Sequence, residues 1–209
     1  MQINISCLIK KPEKSFFKDF PDPNLMQNKA IIDGQRHDRP CFFALTDKKQ
    51  EGLFWLIPIS SKIEKYNGIY VKKMQRYGRC NTIYFAEVMG RKSAFLIQNM
   101  FPITENYISH IYIDPNTLNA VTISDNEAKK IIHNAHDVLK LHNRGINLIF
   151  PKIDIIREER IKQLQSKEQM EPSREKTPWN DYLIQLTRRQ DMIKQKIKSQ
   201  EITKEEIER

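Results

Sequence analysis

The sequence predicts an α+β protein: a small, strongly twisted antiparallel sheet that closes into a barrel, with helices packed outside and a C-terminal helical extension. Three observations carry that class. Six or seven short apolar runs, parted by turn residues, lie between Ile3 and Ile113. A capped amphipathic helix follows at 124–145, and the chain from Ile155 onward is charged with helical spacing.

In order, Ile3, Ile5 and Cys7 alternate with polar residues as in a half-buried strand that Lys10-Lys11-Pro12 ends, and Ser15–Phe20 is one helical turn. Pro21-Asp22-Pro23-Asn24 is turn chemistry, and the stretch to Asp38 reads as a long surface loop. Pro40–Leu45 and Leu53–Ile57 form a hairpin about the charged turn Asp47–Gly52. Pro58 cannot donate to a ladder, so the second strand is expected to end or bulge there. Thr82–Val88 and Ser93–Gln98 flank Met89-Gly90-Arg91-Lys92 as a second hairpin, Phe101-Pro102-Ile103 repeats the apolar-Pro-apolar break, and Tyr107–Ile113 is a further strand. Ser124-Asp125-Asn126-Glu127 is a capping box; Ala128, Ile131, Ile132, Ala135, Val138 and Leu139 form the stripe behind it; Gly145 supplies the stop. Leu148–Phe150 is a last short strand, and Ile156, Ile161 and Leu164 anchor the final core helix. Residues 1–170 form the core and 171–209 an appendage, with Glu171–Pro178 as linker before the stripe Trp179, Tyr182, Leu183, Leu186, Ile193 and Ile197.

The 209 residues carry a formal charge of +9. Residues 157–209 hold 13 basic and 11 acidic groups, so +7 falls on 1–156. Such a field attracts nucleic acid or an anionic membrane surface, or serves solubility alone. Cys7, Cys41 and Cys80 are widely spaced without a C-x-x-C pair, which indicates neither a disulfide framework nor a zinc knuckle and fits a reducing cytoplasm. No apolar run approaches the ~20 residues of a membrane span, and the N-terminus lacks the parts of a signal peptide; a soluble, unexported protein without a membrane partner is expected.

The chemistry concentrates at Leu53–Arg79. Ser60, Ser61 and Lys62 arrive at a strand end, and between Lys62 and Lys92 eight basic residues face two acidic ones. Lys72, Lys73, Arg76 and Arg79 suit a phosphate backbone, and Tyr66, Tyr70 and Tyr77 suit stacking on bases. Upstream, Arg36-His37-Asp38-Arg39 sets an imidazole and two guanidiniums before a strand, either as the shoulder of an RNA site or as a solvated loop paired through Asp38. His133, His136 and His142 share a helix face only loosely and lack a fourth partner at ligand spacing, so they read as surface or boundary residues and no metal or other cofactor is expected. No G-x-S-x-G elbow surrounds Ser60 and Ser61, and no Gly-rich phosphate loop exists, which argues against acyl hydrolases and nucleotide-triphosphate use. Taken alone, Ser-Ser-Lys after a strand reads as a turn.

Three motifs shift that reading. Arg39-Pro40-Cys41-Phe42-Phe43-Ala44-Leu45, Ile57-Pro58-Ile59-Ser60-Ser61-Lys62 and Ile97-Gln98-Asn99-Met100-Phe101-Pro102-Ile103 resemble, in order and separation, three strand motifs of the type III toxin–antitoxin endoribonuclease toxins, the ToxN and AbiQ group. The resemblance covers about Ile3 to Gln165 and has no counterpart after residue 170. In that family a residue separates the second hydroxyl from the lysine; here Lys62 follows Ser61 directly, which leaves Lys62 and Lys65 as alternatives for the active-site amine. The resemblance implies a compact twisted antiparallel sheet, metal-independent RNA cleavage to a 2′,3′-cyclic phosphate, and a repeat-containing, pseudoknot-like RNA antitoxin that holds the toxin in a closed toxin–RNA assembly. Ser60 and Ser61 would then position the phosphate, with His37 or a lysine as base. Two rivals stand beside it: a non-catalytic single-stranded RNA-binding protein using the same basic groove, and a partner-binding protein whose Trp179–Ile197 helix docks elsewhere.

Overall fold

The computed structural model describes residues 9–26, 31–32, 35–36, 39–47, 49–114 and 117–170. In chain order these form β1 (Ile9–Pro12), α1 (Lys14–Asp19), β2 (Ile31–Ile32), β3 (Gln35–Arg36), β4 (Cys41–Thr46), β5 (Leu53–Ser60) and α2 (Ile63–Tyr77). β6 (Tyr84–Val88), β7 (Arg91–Phe95), β8 (Phe101–Thr104), β9 (Ile108–Ile111), α3 (Asp125–His142) and α4 (Ile153–Met170) follow. The chain divides into two units, Met1–Ser166 and Lys167–Arg209; of the second, only Lys167–Met170 at the end of α4 is described. The supposed Ile3–Cys7 strand and the Trp179–Ile197 stripe lie outside the described residues.

β5 is the trunk of an antiparallel seven-stranded sheet of order β6-β7-β5-β4-β1-β9. One edge of β5 pairs with β4, from Cys41 opposite Pro58 to Thr46 opposite Phe54. The other edge forks: Leu53–Leu56 pair with β8, and Ile59 and Ser60 pair with β7. The expected end at Pro58 is therefore corrected. A proline lacks only the donor, and here its carbonyl still accepts from Leu96 N (2.9 Å) while the partner on that edge changes. Pro102 likewise sits inside β8, opposite Trp55. The sheet is open, with β6 and β9 at its ends, so closure into a barrel does not occur.

Every residue of β5 is buried because both faces of the sheet are covered. Trp55, Ile57 and Ile59 join Ala128, Ile131, Ala135 and Val138 of α3 in the main core. By the two-residue period of a strand, Phe54, Leu56 and Ser60 face the opposite way, toward the side on which Phe43 meets Phe54 with ring centroids 5.1 Å apart. Phe16 of α1 stacks on Phe101 at 5.1 Å. Ser124 caps α3 by accepting from Glu127 N (3.3 Å), and Gly145, at φ 83°, ends the turn after it. Met89 and Gly90, at φ 52° and 70°, make the tight β6–β7 turn, so β7 begins at Arg91 rather than Ser93.

Several expectations change in detail. Lys10 and Lys11 do not end a strand but lie in one, and Lys10 is buried with its ammonium 4.3 Å from the Phe43 ring centre. Burial lowers its pKa to about 8 against the opposing pull of Glu105. Within the predicted loop before Asp38, Ile31–Ile32 and Gln35–Arg36 pair as a two-stranded ladder. Leu148–Phe150 forms no strand: Phe150 N donates to Gln98 O (2.8 Å) and Ile149 is buried. α4 starts at Ile153, and besides Ile153 and Ile156 it buries Arg160, whose guanidinium lies over the rings of Phe20 (3.9 Å) and Tyr107 (4.5 Å).

Candidate nucleic-acid interface at the end of β5

β5 ends in Ser60, and the chain turns through Ser61 and Lys62 directly into α2. The turn is pinned from within: Ser60 Oγ accepts from Lys62 N (3.3 Å) and Ser61 O accepts from Ile63 N (2.9 Å). Ser60 is thereby buried, whereas Ser61, Lys62 and Lys65 are exposed. Lys62 occupies the N-cap position of a 15-residue helix without a side-chain oxygen to cap it. The first-turn N–H groups of such a helix favour an anionic acceptor, with Ser61 beside them. Arg39 reaches the same strand end, where its Nη1 donates to Ile59 O (2.9 Å). The structure thus brings together Arg39, Ser60, Ser61, Lys62 and the start of α2; His37 lies outside the described residues.

The basic stretch that sequence reading leaves without secondary structure is α2 itself. Its signal was present: Ile63, Tyr66, Ile69 and Tyr70 follow helical spacing, and Gly78, at φ 68°, stops it. That periodicity divides the expected RNA-binding residues. Tyr66 is buried with Ile83, Ala94 and Leu96, so its ring belongs to the core rather than to a base-stacking surface. Tyr70 is half-buried and meets Phe85 edge-on at 5.7 Å. Tyr77 is exposed at the helix end with Arg76 over its ring.

Lys73 is also reassigned. Its Nζ donates to Thr82 Oγ1 (2.7 Å) and Gln98 Oε1 (2.8 Å), two buried groups, so it ties α2 to the segments that precede β6 and follow β7. Burial lowers its pKa, with Cys80 opposing. Lys72, Arg76 and Arg79 remain exposed.

Two of the helix-borne histidines face carboxylates. His133 Nε2 lies 3.5 Å from Asp137, and His142 Nε2 lies 2.9 Å from Asp154. Among the described residues no group of three or more His, Cys, Asp or Glu converges as a metal site would require. Cys41 and Cys80 are unpaired, and burial pushes the Cys41 thiol up to about 12 against the nearby Arg39 charge. Among the described residues no helix is long and apolar enough to cross a membrane.

No protein-family model matches the chain. No curated protein matches it either. Among solved structures, the chain is similar to one described as "A processed non-coding RNA regulates a bacterial antiviral system", with a TM-score of 0.51 at 10% identity, over 72% of this chain and 95% of that one. At that identity the likeness is one of fold.

Proposed function

We propose that the chain is a metal-independent endoribonuclease toxin of the type III toxin–antitoxin kind, held in check by a repeat RNA antitoxin. The observation that carries the proposal is the Ser60-Ser61-Lys62 turn, in which a rigid strand end hands exposed hydroxyl and ammonium groups to the open N-terminus of a helix with a basic outer face. The shared fold with a protein of a bacterial antiviral system regulated by non-coding RNA, and the three motifs quoted above, support the same reading.

In this reading the base takes the 2′-OH proton, the 2′-oxygen attacks its own 3′-phosphorus, and the bond to the 5′-oxygen of the next nucleotide breaks as that oxygen takes a proton from solvent. The products are a 2′,3′-cyclic phosphate and a 5′-hydroxyl. Ser61 donates to a phosphate oxygen, Ser60 holds the turn, and Lys62 or Lys65 neutralises the phosphorane. Arg39 supplies further positive charge beside Ile59, and His37 is the candidate base.

The test is cleavage of single-stranded RNA by the purified chain with end-group analysis. Ser61→Ala lowers the rate by about 10²–10³ without a change in thermal stability, and cleavage persists in excess EDTA. A Ser60→Ala/Ser61→Ala protein as active as the parent overturns the site. The second reading, a non-catalytic RNA-binding protein using the same basic groove, rests on the exposed Lys72, Arg76 and Tyr77 of α2. It predicts salt-sensitive binding by the parent chain with no cleavage.

A further inference from the structure

A cavity of about 610 Å³ lies at the other end of β5, between the C-terminal half of α3, the first turn of α4 and the β4–β5 connection. Leu45, Trp55, Leu139 and Ile153 give it an apolar part. Its carboxylates are all spoken for. Asp47 accepts from Arg157 Nε and Nη2 (3.1 Å each) and from Trp55 Nε1 (3.3 Å). Asp137 accepts from Asn81 Nδ2 (3.1 Å) and faces His133, and Asp154 takes His142 Nε2 (2.9 Å). Burial would raise the Asp47 carboxyl, but the Arg157 and Lys49 N–H bonds outweigh it and hold the pKa below the ordinary value.

The cations of the cavity are not balanced in the same way. Lys49, Lys140 and Arg144 line it, and among the described residues their side chains make no hydrogen bond or ion pair. All three are exposed, so the cavity offers an anion solvent-facing cations beside an apolar wall, in a space of the size that holds small ligands. Trp55 precedes Ser61 by six residues of extended chain, about 20 Å at ~3.3 Å per residue.

We propose that this cavity is a subsite for one phosphate-bearing nucleotide of the RNA that reaches the Ser61 end of β5, an inference that rests on the RNA reading above. Lys140 and Arg144 take the phosphate, and the apolar wall takes the base. Because the two ends are several nucleotides apart, the subsite acts only on RNA long enough to span them.

The experiment measures the salt dependence of binding in a Ser61→Ala background, in which cleavage is slowed by about 10²–10³, with a trinucleotide and a single-stranded dodecanucleotide. Lys140→Ala/Arg144→Ala flattens the dodecanucleotide slope by about 0.7 log units per log unit of salt, the value for one phosphate, and leaves trinucleotide affinity unchanged. Lys140→Arg/Arg144→Lys restores the slope, which separates phosphate contact from any disturbance of α3. Unchanged dodecanucleotide binding in the alanine variant overturns the subsite while leaving the RNA reading intact. Equal weakening of both oligonucleotides also overturns it, since that marks a general field. Failure of the parent chain to bind either oligonucleotide removes the RNA reading and the subsite together.

Discussion

Lys72 and Lys73 are neighbours in sequence and opposites in the fold. Lys72 stands on the outer face of α2 in solvent; Lys73, one residue and about 100° further round the helix, turns two of its donors to the interior, at Thr82 and Gln98. The same division separates exposed Arg76 from buried Tyr66. Counting basic and aromatic residues along a stretch therefore overstates the binding surface, because helical periodicity consigns part of them to the core. What faces solvent is one side of α2, not its whole composition.

The largest effect that would break the comparison is at Tyr66. Tyr66→Ala is expected to cost about 3–5 kcal/mol of stability, as large aromatic truncations in a packed core do, measured by chemical unfolding. A stable Tyr66→Ala protein that loses RNA affinity would return the ring to the binding surface. Lys73→Ala comes next: it strands the buried Gln98 side-chain carbonyl and leaves Thr82 Oγ1 only the Cys80 thiol (3.6 Å), and a buried group left unsatisfied costs about 1–3 kcal/mol. Its RNA salt slope should match that of the parent. The sign of its pH effect also follows. Because burial lowers the Lys73 pKa, the cost of charging it in the fold is fully present below the folded value and fades as pH rises toward the unfolded value of 10.5. Lys73→Met removes that gain in stability over the alkaline window, and a parent-like pH profile in the variant would show the amine to be solvated. The smallest change in stability belongs to Lys72→Ala/Arg76→Ala, within about 0.5 kcal/mol. The salt slope should nevertheless flatten by about 1.4 log units per log unit of salt, the value for two contacts to single-stranded RNA.

Local chemistry made part of the fold legible. The Ser124 capping box, the α3 stripe and the Met89-Gly90 turn each depend on residues a few positions apart, and each forms where spacing places it, although the β6–β7 turn is tighter than expected. The Ser60–Lys62 turn was likewise visible as the end of an apolar run. What sequence did not reveal depends on distant partners. Lys73 is explained by Gln98, 25 residues on, and Lys10 by packing against Phe43. Arg160 is buried because Phe20 and Tyr107 converge on it from two other parts of the chain. Pro58 misled for a related reason: a missing donor ends a strand only if its neighbour requires that donor, and here the neighbour changes at that point.

That fork in β5 also limits how the molecule can vary. Ser60 is the last residue of a strand paired along both edges and covered on both faces, so its position is inherited from the register of the whole trunk. Deleting a single residue between Leu53 and Ile59 would exchange the two faces of the strand beyond the cut and bring Ser61 to the place of Ser60. A lineage of such proteins can therefore exchange side chains along β5 but tolerates changes of length only outside it, in connections such as Asp47–Gly52.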